Sequence, residues 1–325
     1  MSQVENLASA HFSRNVKTNI RKNKVCEIEH RVAHCYSTWG KTYFEEYYKS
    51  SQAYPPIHLQ IVKNELRRHG ARNVLDAGCG PASMLRELRQ FRTQRFGFDL
   101  TPSMVDEAKR VLSKQGVPPR HIWTGSVLDP RAYRGPKDGV QHEFDSALCF
   151  GVLPHIPEAM DKKVFSLLRK NVVRGGLVLV EARNELFSLF TCNRYSFSFL
   201  EERLIQPDSW EEIPKEIKKR KSAVLQRLQG HFRMDLPPIR QGKAGEPGYD
   251  EVLSRTHNPM IAADQFAKAG FRKVEVLFYH YHCLPPMFER SNPKWFRKQS
   301  LRMENPRDWR GHFMASAFIL KGIAA

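Results

Sequence analysis

From residue 57 onward, short apolar runs alternate with amphipathic stretches of helical period. Ile57 to Arg68 places Ile57, Ile61, Val62 and Leu66 on one side of a predicted helix, and Gly70 ends it. Val74 and Leu75 begin a first predicted strand, and Arg95-Phe96-Gly97-Phe98-Asp99 forms a second. Between them, Met84, Leu85, Leu88 and Phe91 repeat at helical intervals. Thr101 and Pro102 mark a helix start, followed by Met104, Val105, Ala108, Val111 and Leu112. His121 to Asp129 reads as a third strand and its exit, and Phe144 to Phe150 as a fourth. Ala159 to Leu168 is a helix, and Val172 to Glu181 a turn into a fifth strand. Five strands alternating with helices predict an α/β fold with a doubly wound sheet. Val274 to Cys283 and Phe313 to Lys321 add a sixth and a seventh. No crossover helix of ordinary apolar pattern separates these two, so an antiparallel pair is expected.

The chemistry centres on the first strand and its exit, Asp76-Ala77-Gly78-Cys79-Gly80. Gly78 and Gly80 allow a sharp turn and leave room for a ligand against the backbone. A dinucleotide site asks for Gly-x-Gly-x-x-Gly, whereas Ser83 stands at the third glycine position and Asp76 would set a negative charge near a pyrophosphate. S-adenosylmethionine carries no phosphate, and a nearby carboxylate suits its ammonium. Asp99, ending a strand about twenty residues after the turn, is placed to accept hydrogen bonds from both ribose hydroxyls. On these residues the chain resembles the class I S-adenosylmethionine-dependent methyltransferases, most closely over residues 70 to 183. The resemblance implies a Rossmann-like seven-stranded sheet with its last strand antiparallel, an N-terminal helical cover and an insertion after the fifth strand. It also implies that Asp129 accepts from the adenine amino group and that Ser126 or Val127 lines the base. The donor set expected is Asp76, Gly78, Gly80, Asp99, Leu100, Met104, Ser126, Val127, Asp129 and Phe150.

Val152-Leu153-Pro154-His155-Ile156 follows the fourth strand and is similar to a segment of many small-molecule methyltransferases of this class. A histidine there titrates near neutrality, so His155 is the first candidate for a general base, with His280 and Glu181 behind it. A structural histidine closing the loop is the alternative. Residues 181 to 196 leave the tip of the fifth strand and should border the acceptor. Arg183, Asn184, Asn193, Arg194 and Tyr195 offer guanidinium, amide and phenol groups for a hydroxyl-rich or acidic acceptor. The segment is similar to one in bacterial methyltransferases of surface-polysaccharide and glycan pathways. The organisation expected is a helical cover over 1–70, a donor-binding core over 71–183, a cap or lid over 184–258, and the end of the core sheet over 259–325. His280 and His282 alternate onto one strand face. A metal is not expected there, nor at His30 and His34.

Composition narrows the partners. The chain of 325 residues carries a net charge of +18. That charge favours an anionic partner: a nucleic acid, an acidic membrane surface, or an acidic or phosphorylated sugar. Arg14, Lys17, Arg21, Lys22 and Lys24 cluster early, and an aromatic run from Tyr36 through Trp39, Tyr43, Phe44, Tyr47 and Tyr48 follows. The six cysteines are scattered without a Cys-x-x-Cys pair, which argues against structural zinc or a disulfide framework. No apolar run reaches membrane-span length and the first residues lack a secretory layout, so a cytoplasmic enzyme is expected. The leading expectation is O-methylation of a glycan, sugar or other anionic small molecule. Methylation of a ribose or tRNA hydroxyl, or a donor-binding protein without transfer, are the alternatives.

Overall fold

The computed structural model describes residues 24–38, 55–135, 143–205, 214–236 and 251–325. The early cationic residues through Lys22, the aromatics from Trp39 to Tyr48 and most of the 230–249 loop lie outside them. Helix α1 covers 24–37 and α2 covers Ile57–His69. The strands are β1 (Asn73–Ala77), β2 (Gln94–Asp99), β3 (Ile122–Thr124), β4 (Phe144–Cys149), β5 (Val172–Arg183), β6 (Phe271–Tyr281) and β7 (Ala315–Ala324). They form a seven-stranded sheet in the order β3-β2-β1-β4-β5-β7-β6. β1 to β5 pair in parallel, and β7 runs antiparallel to both β5 and β6.

Alternating side chains divide the core between the two faces of the sheet. Val74, Leu148, Leu177 and Leu179 pack with Leu59, Val62 and Leu66 of α2 and with Val105, Ala108 and Leu112 of α3 (Pro102–Ser113). Leu75, Ala147, Val178 and Val180 pack with Val164, Phe165 and Leu168 of α4 (Asp161–Lys170) on the other side. Both faces are covered, as a parallel sheet requires. The chain leaves β1 toward β2 and β3, then returns to β4 on the opposite side of β1. Connections part at the carboxyl ends of β1 and β4, which opens a crevice there.

One element differs from the sequence reading. The stretch holding Met84, Leu85, Leu88 and Phe91 makes turns and a short 3-10 segment, Leu85–Leu88, instead of an α-helix. Ala82 has a φ of 59°, outside the right-handed helical region, so no α-helix runs continuously out of the glycine turn. The apolar period survives because Leu85 and Leu88 still point inward and are fully buried. No helix dipole is therefore supplied directly after the glycine turn.

Candidate active site

A cavity of about 500 Å3 opens at the carboxyl edge of the sheet, over β1, β2, β4 and β5. Its donor-side wall is the glycine turn. Gly78 has a φ of 85° and Gly80 of 51°, and the Gly78 and Cys79 amides both donate to the Phe98 carbonyl at 2.8 and 2.9 Å. A Cβ on Gly78 would stand 2.2 Å from Val152 Cγ2. Glycine is thus needed there both for conformation and for close approach.

Two carboxyl groups flank this turn. Asp76 is 2% exposed, and its Oδ1 has no hydrogen-bond partner. Burial, with a contribution from Asp99, pushes its carboxyl up to about 8. A buried polar atom without a partner is costly, and a cation in the cavity relieves that cost. Asp99 is held by the Gly80 amide on Oδ2 and the Thr101 amide on Oδ1, both at 2.8 Å. Burial raises its carboxyl as well, opposed by those two amides and by the Thr101 side chain. With the Thr101 side chain also bonded to it, the carboxylate still keeps accepting capacity for a ribose hydroxyl. Leu100, Met104, Ser126 and Val127 line the same half, and Phe150 and Gly151 close it toward β4.

Asp129 stands elsewhere. It is outside the cavity lining, and its carboxylate is taken by Arg131, with the guanidinium Nη2 at 2.8 Å. That pairing holds its carboxyl below the usual range. Asp129→Ala is expected to leave donor affinity within about twofold in a binding titration, the scale of an exposed ion pair.

The acceptor half gathers residues distant in sequence. His155 is 8% exposed and bonded at both ring nitrogens. Nδ1 lies 2.7 Å from the Leu253 carbonyl, and Nε2 lies 2.9 Å from the Tyr36 hydroxyl. A carbonyl only accepts, so Nδ1 carries the proton and Nε2 accepts from Tyr36. Burial lowers this imidazole to about 4, aided by the positive charge of Arg183 and opposed by the Leu253 carbonyl. Glu181 accepts the Gly151 amide at 2.6 Å and the Tyr279 hydroxyl. His280 has a φ of 57° and lines the cavity edge-on to His58, with ring centroids 6.1 Å apart. Burial lowers both imidazoles to about 4. That left-handed turn also breaks the expected alternation. His282 is absent from the cavity lining and packs instead on Phe187 and Phe296. Among the described residues, no group of three or more His, Cys, Asp or Glu could hold a metal ion.

Of the expected acceptor residues, Arg183 lines the cavity, with its guanidinium on Ser254. The other four lie outside the lining. Asn184 is 2% exposed and spends its amide on the carbonyls of Gly311, His312 and Ala315. Asn193 caps the short helix α5 (Arg194–Phe199) in a capping box. Arg194 and Tyr195 pair with each other at the surface. These polar side chains are consumed by loop geometry. Residues missed in the sequence come from the cover: Glu29, Val32 and Tyr36 of α1, and His58 of α2.

Residues 74–176 match a protein family described as a methyltransferase domain. The match begins inside β1 and ends inside β5, enclosing the glycine turn and both carboxyl groups. Residues 74–176 form a class I S-adenosylmethionine-dependent methyltransferase domain. The donor is therefore S-adenosylmethionine, and the buried Asp76 oxygen and the cradle at Gly78 fit it. No curated protein matches the chain in sequence. Several solved structures resemble it at low identity. One is an S-adenosylmethionine-dependent methyltransferase from Clostridium acetobutylicum, at 10% identity and TM-score 0.49, covering 90% of this chain and 99% of that one. Another is the magnesium protoporphyrin IX methyltransferase of Synechocystis with bound S-adenosylhomocysteine, at 14% and 0.42, covering 83% of each chain. A third is the methyltransferase SibL, at 14% and 0.43, covering 82% of this chain; the chain spans 54% of its length.

Proposed function

We propose that this methyltransferase acts on a hydroxyl group of an anionic small molecule, such as an acidic sugar or glycan unit. The observation that carries the reading is the Tyr36–His155 hydrogen bond beside Arg183 in one cavity. When bound, the donor supplies a methyl group on a sulfonium, which leaves as a neutral thioether. A hydroxyl acceptor must also lose a proton, and the chain offers a path for it. Tyr36 lines the cavity, and its hydroxyl already donates to His155 Nε2. Proton passage from the acceptor to Tyr36, with the phenol proton moving to Nε2, leaves His155 as imidazolium. The Leu253 carbonyl holds the opposite nitrogen and favours that charged form. Arg183 disfavours it, and an acceptor carboxylate or phosphate paired with Arg183 would cancel that opposition. An anionic acceptor thus improves the base at the moment it binds.

Tyr36→Phe and His155→Ala are expected to lower kcat by about a hundredfold or more, the range for general-base groups. Donor affinity should change little, because the donor carboxyl groups and the glycine turn stand on β1 and β2. Unchanged turnover in both variants removes the relay. Radiolabelled donor with a panel of acidic and neutral sugars identifies the acceptor class. The net charge of +18 favours a second reading, methylation of an RNA hydroxyl. Saturable RNA methylation with steep salt dependence would establish it, and no RNA binding at low salt would dismiss it.

A further inference from the structure

Asp129 leaves the adenine end without its expected carboxylate, yet another carboxylate is present. Glu29 of α1 lines the cavity beside Ser126, Val127 and Leu128 at the exit of β3. Its Oε1 accepts the Ser126 hydroxyl, and the Ser126 oxygen in turn accepts the Leu128 amide at 3.0 Å. The second Glu29 oxygen makes no hydrogen bond to a described residue. Glu29 is therefore oriented by a bonded serine, and half of its accepting capacity is left toward the cavity.

Strand order says which part of the donor lies there. The sheet runs β3-β2-β1-β4, with Asp76 on β1 and Asp99 at the end of β2. An ammonium at Asp76 and a ribose at Asp99 set a direction, and the base continues it to the exit of β3. Leu100, Met104, Val127 and Leu128 give that end an apolar lining suited to an aromatic ring. The adenine amino group is a donor only at its hydrogens, and a carboxylate accepts from it in a charge-assisted hydrogen bond.

We propose that Glu29, supplied by the N-terminal helix, accepts the hydrogen bond of the adenine amino group and so reads the base of the donor. The inference rests on the donor reading above. It also makes α1 part of the binding site: one helix carries Glu29 at the base and Tyr36 at the acceptor, two turns apart.

The test is a two-by-two binding experiment with the full chain. The probes are S-adenosylhomocysteine and its analogue with unsubstituted purine in place of adenine, which lacks the amino group. The wild type should bind the adenine ligand about tenfold or more tightly than the purine ligand. Glu29→Ala should bind the two ligands alike. Glu29→Gln, nearly isosteric and still able to accept through its carbonyl, should keep part of the preference and a wild-type melting temperature. Ser126→Ala should reduce the preference by loosening Glu29. If the wild type binds the adenine ligand but Glu29→Ala keeps the full preference, Glu29 does not read the base. If the folded wild type binds neither ligand, the donor reading itself fails, and this inference with it.

Discussion

Gly78→Ala is expected to abolish donor binding and lower the melting temperature. The new Cβ meets Val152 Cγ2 at 2.2 Å, and the φ of 85° disfavours any L side chain. The conformational part alone costs on the order of 1–2 kcal/mol. The steric part forces either the turn or the Val152 loop to move, and that loop carries Phe150 and His155. Donor affinity should fall by about a hundredfold or more, since near-contact geometry sets the whole turn. Gly80 provides the comparison, because nothing lies within 4 Å of a Cβ placed there. Gly80→Ala keeps the backbone penalty of its φ of 51° but adds no clash, so it should lose less stability than Gly78→Ala. The double variant Gly78→Ala/Val152→Ala separates the two costs. It should recover part of the melting temperature, leaving the backbone penalty. A Gly78→Ala protein with wild-type affinity for S-adenosylhomocysteine would show that the turn is not the ligand cradle.

Asp76→Asn is expected to move stability and binding in opposite directions. In the ligand-free protein the Asp76 carboxyl is raised from 3.8 to about 8. The folded state therefore keeps a proton that the unfolded chain releases. This group costs nothing below pH 4, and its destabilisation grows as pH rises from about 4 to about 8. Asparagine has no proton to lose, so the variant should melt at least about 2 °C higher at pH 7, with the gain vanishing near pH 4. Donor binding reverses the preference. The ammonium favours the ionised carboxylate, so binding at pH 7 expels the Asp76 proton. Affinity of the wild type should rise between pH 6 and 8, by at most about tenfold per pH unit. In Asp76→Asn the affinity should be about tenfold or more weaker at pH 8, and the slope should be lost. A variant that binds as well as the wild type at every pH excludes Asp76 from the ammonium site.

The framework was legible because it depends on local pattern. Alternation at Val74 and Leu75 gives two buried faces, and the strand-and-helix rhythm gives the parallel sheet. Asp76, Gly78, Gly80 and Asp99 lie near one another in the chain and at strand ends, so spacing alone placed them on one crevice. The remainder depends on contacts that sequence order conceals. Glu29, Tyr36 and His58 reach the cavity from helices that precede the sheet. Tyr36 opens an aromatic run in the sequence, and its hydroxyl bonds His155, 119 positions away. Asn184 and Asn193 have the chemistry of ligand-binding amides, but backbone groups claim them first. Asp129 is diverted by a cation only two residues away, and a single positive φ at His280 turns His282 out of the site. A motif fixes where a ligand can bind; competition among neighbours for each polar group decides which side chains are left to bind it.

The most direct measurement is a calorimetric titration of the full chain with S-adenosylhomocysteine at pH 7, in two buffers of different ionisation enthalpy. The account predicts saturable one-to-one binding with release of about one proton, abolished in Asp76→Asn. A folded protein that takes up no ligand at high-micromolar concentration, or that binds with no proton released, would contradict it.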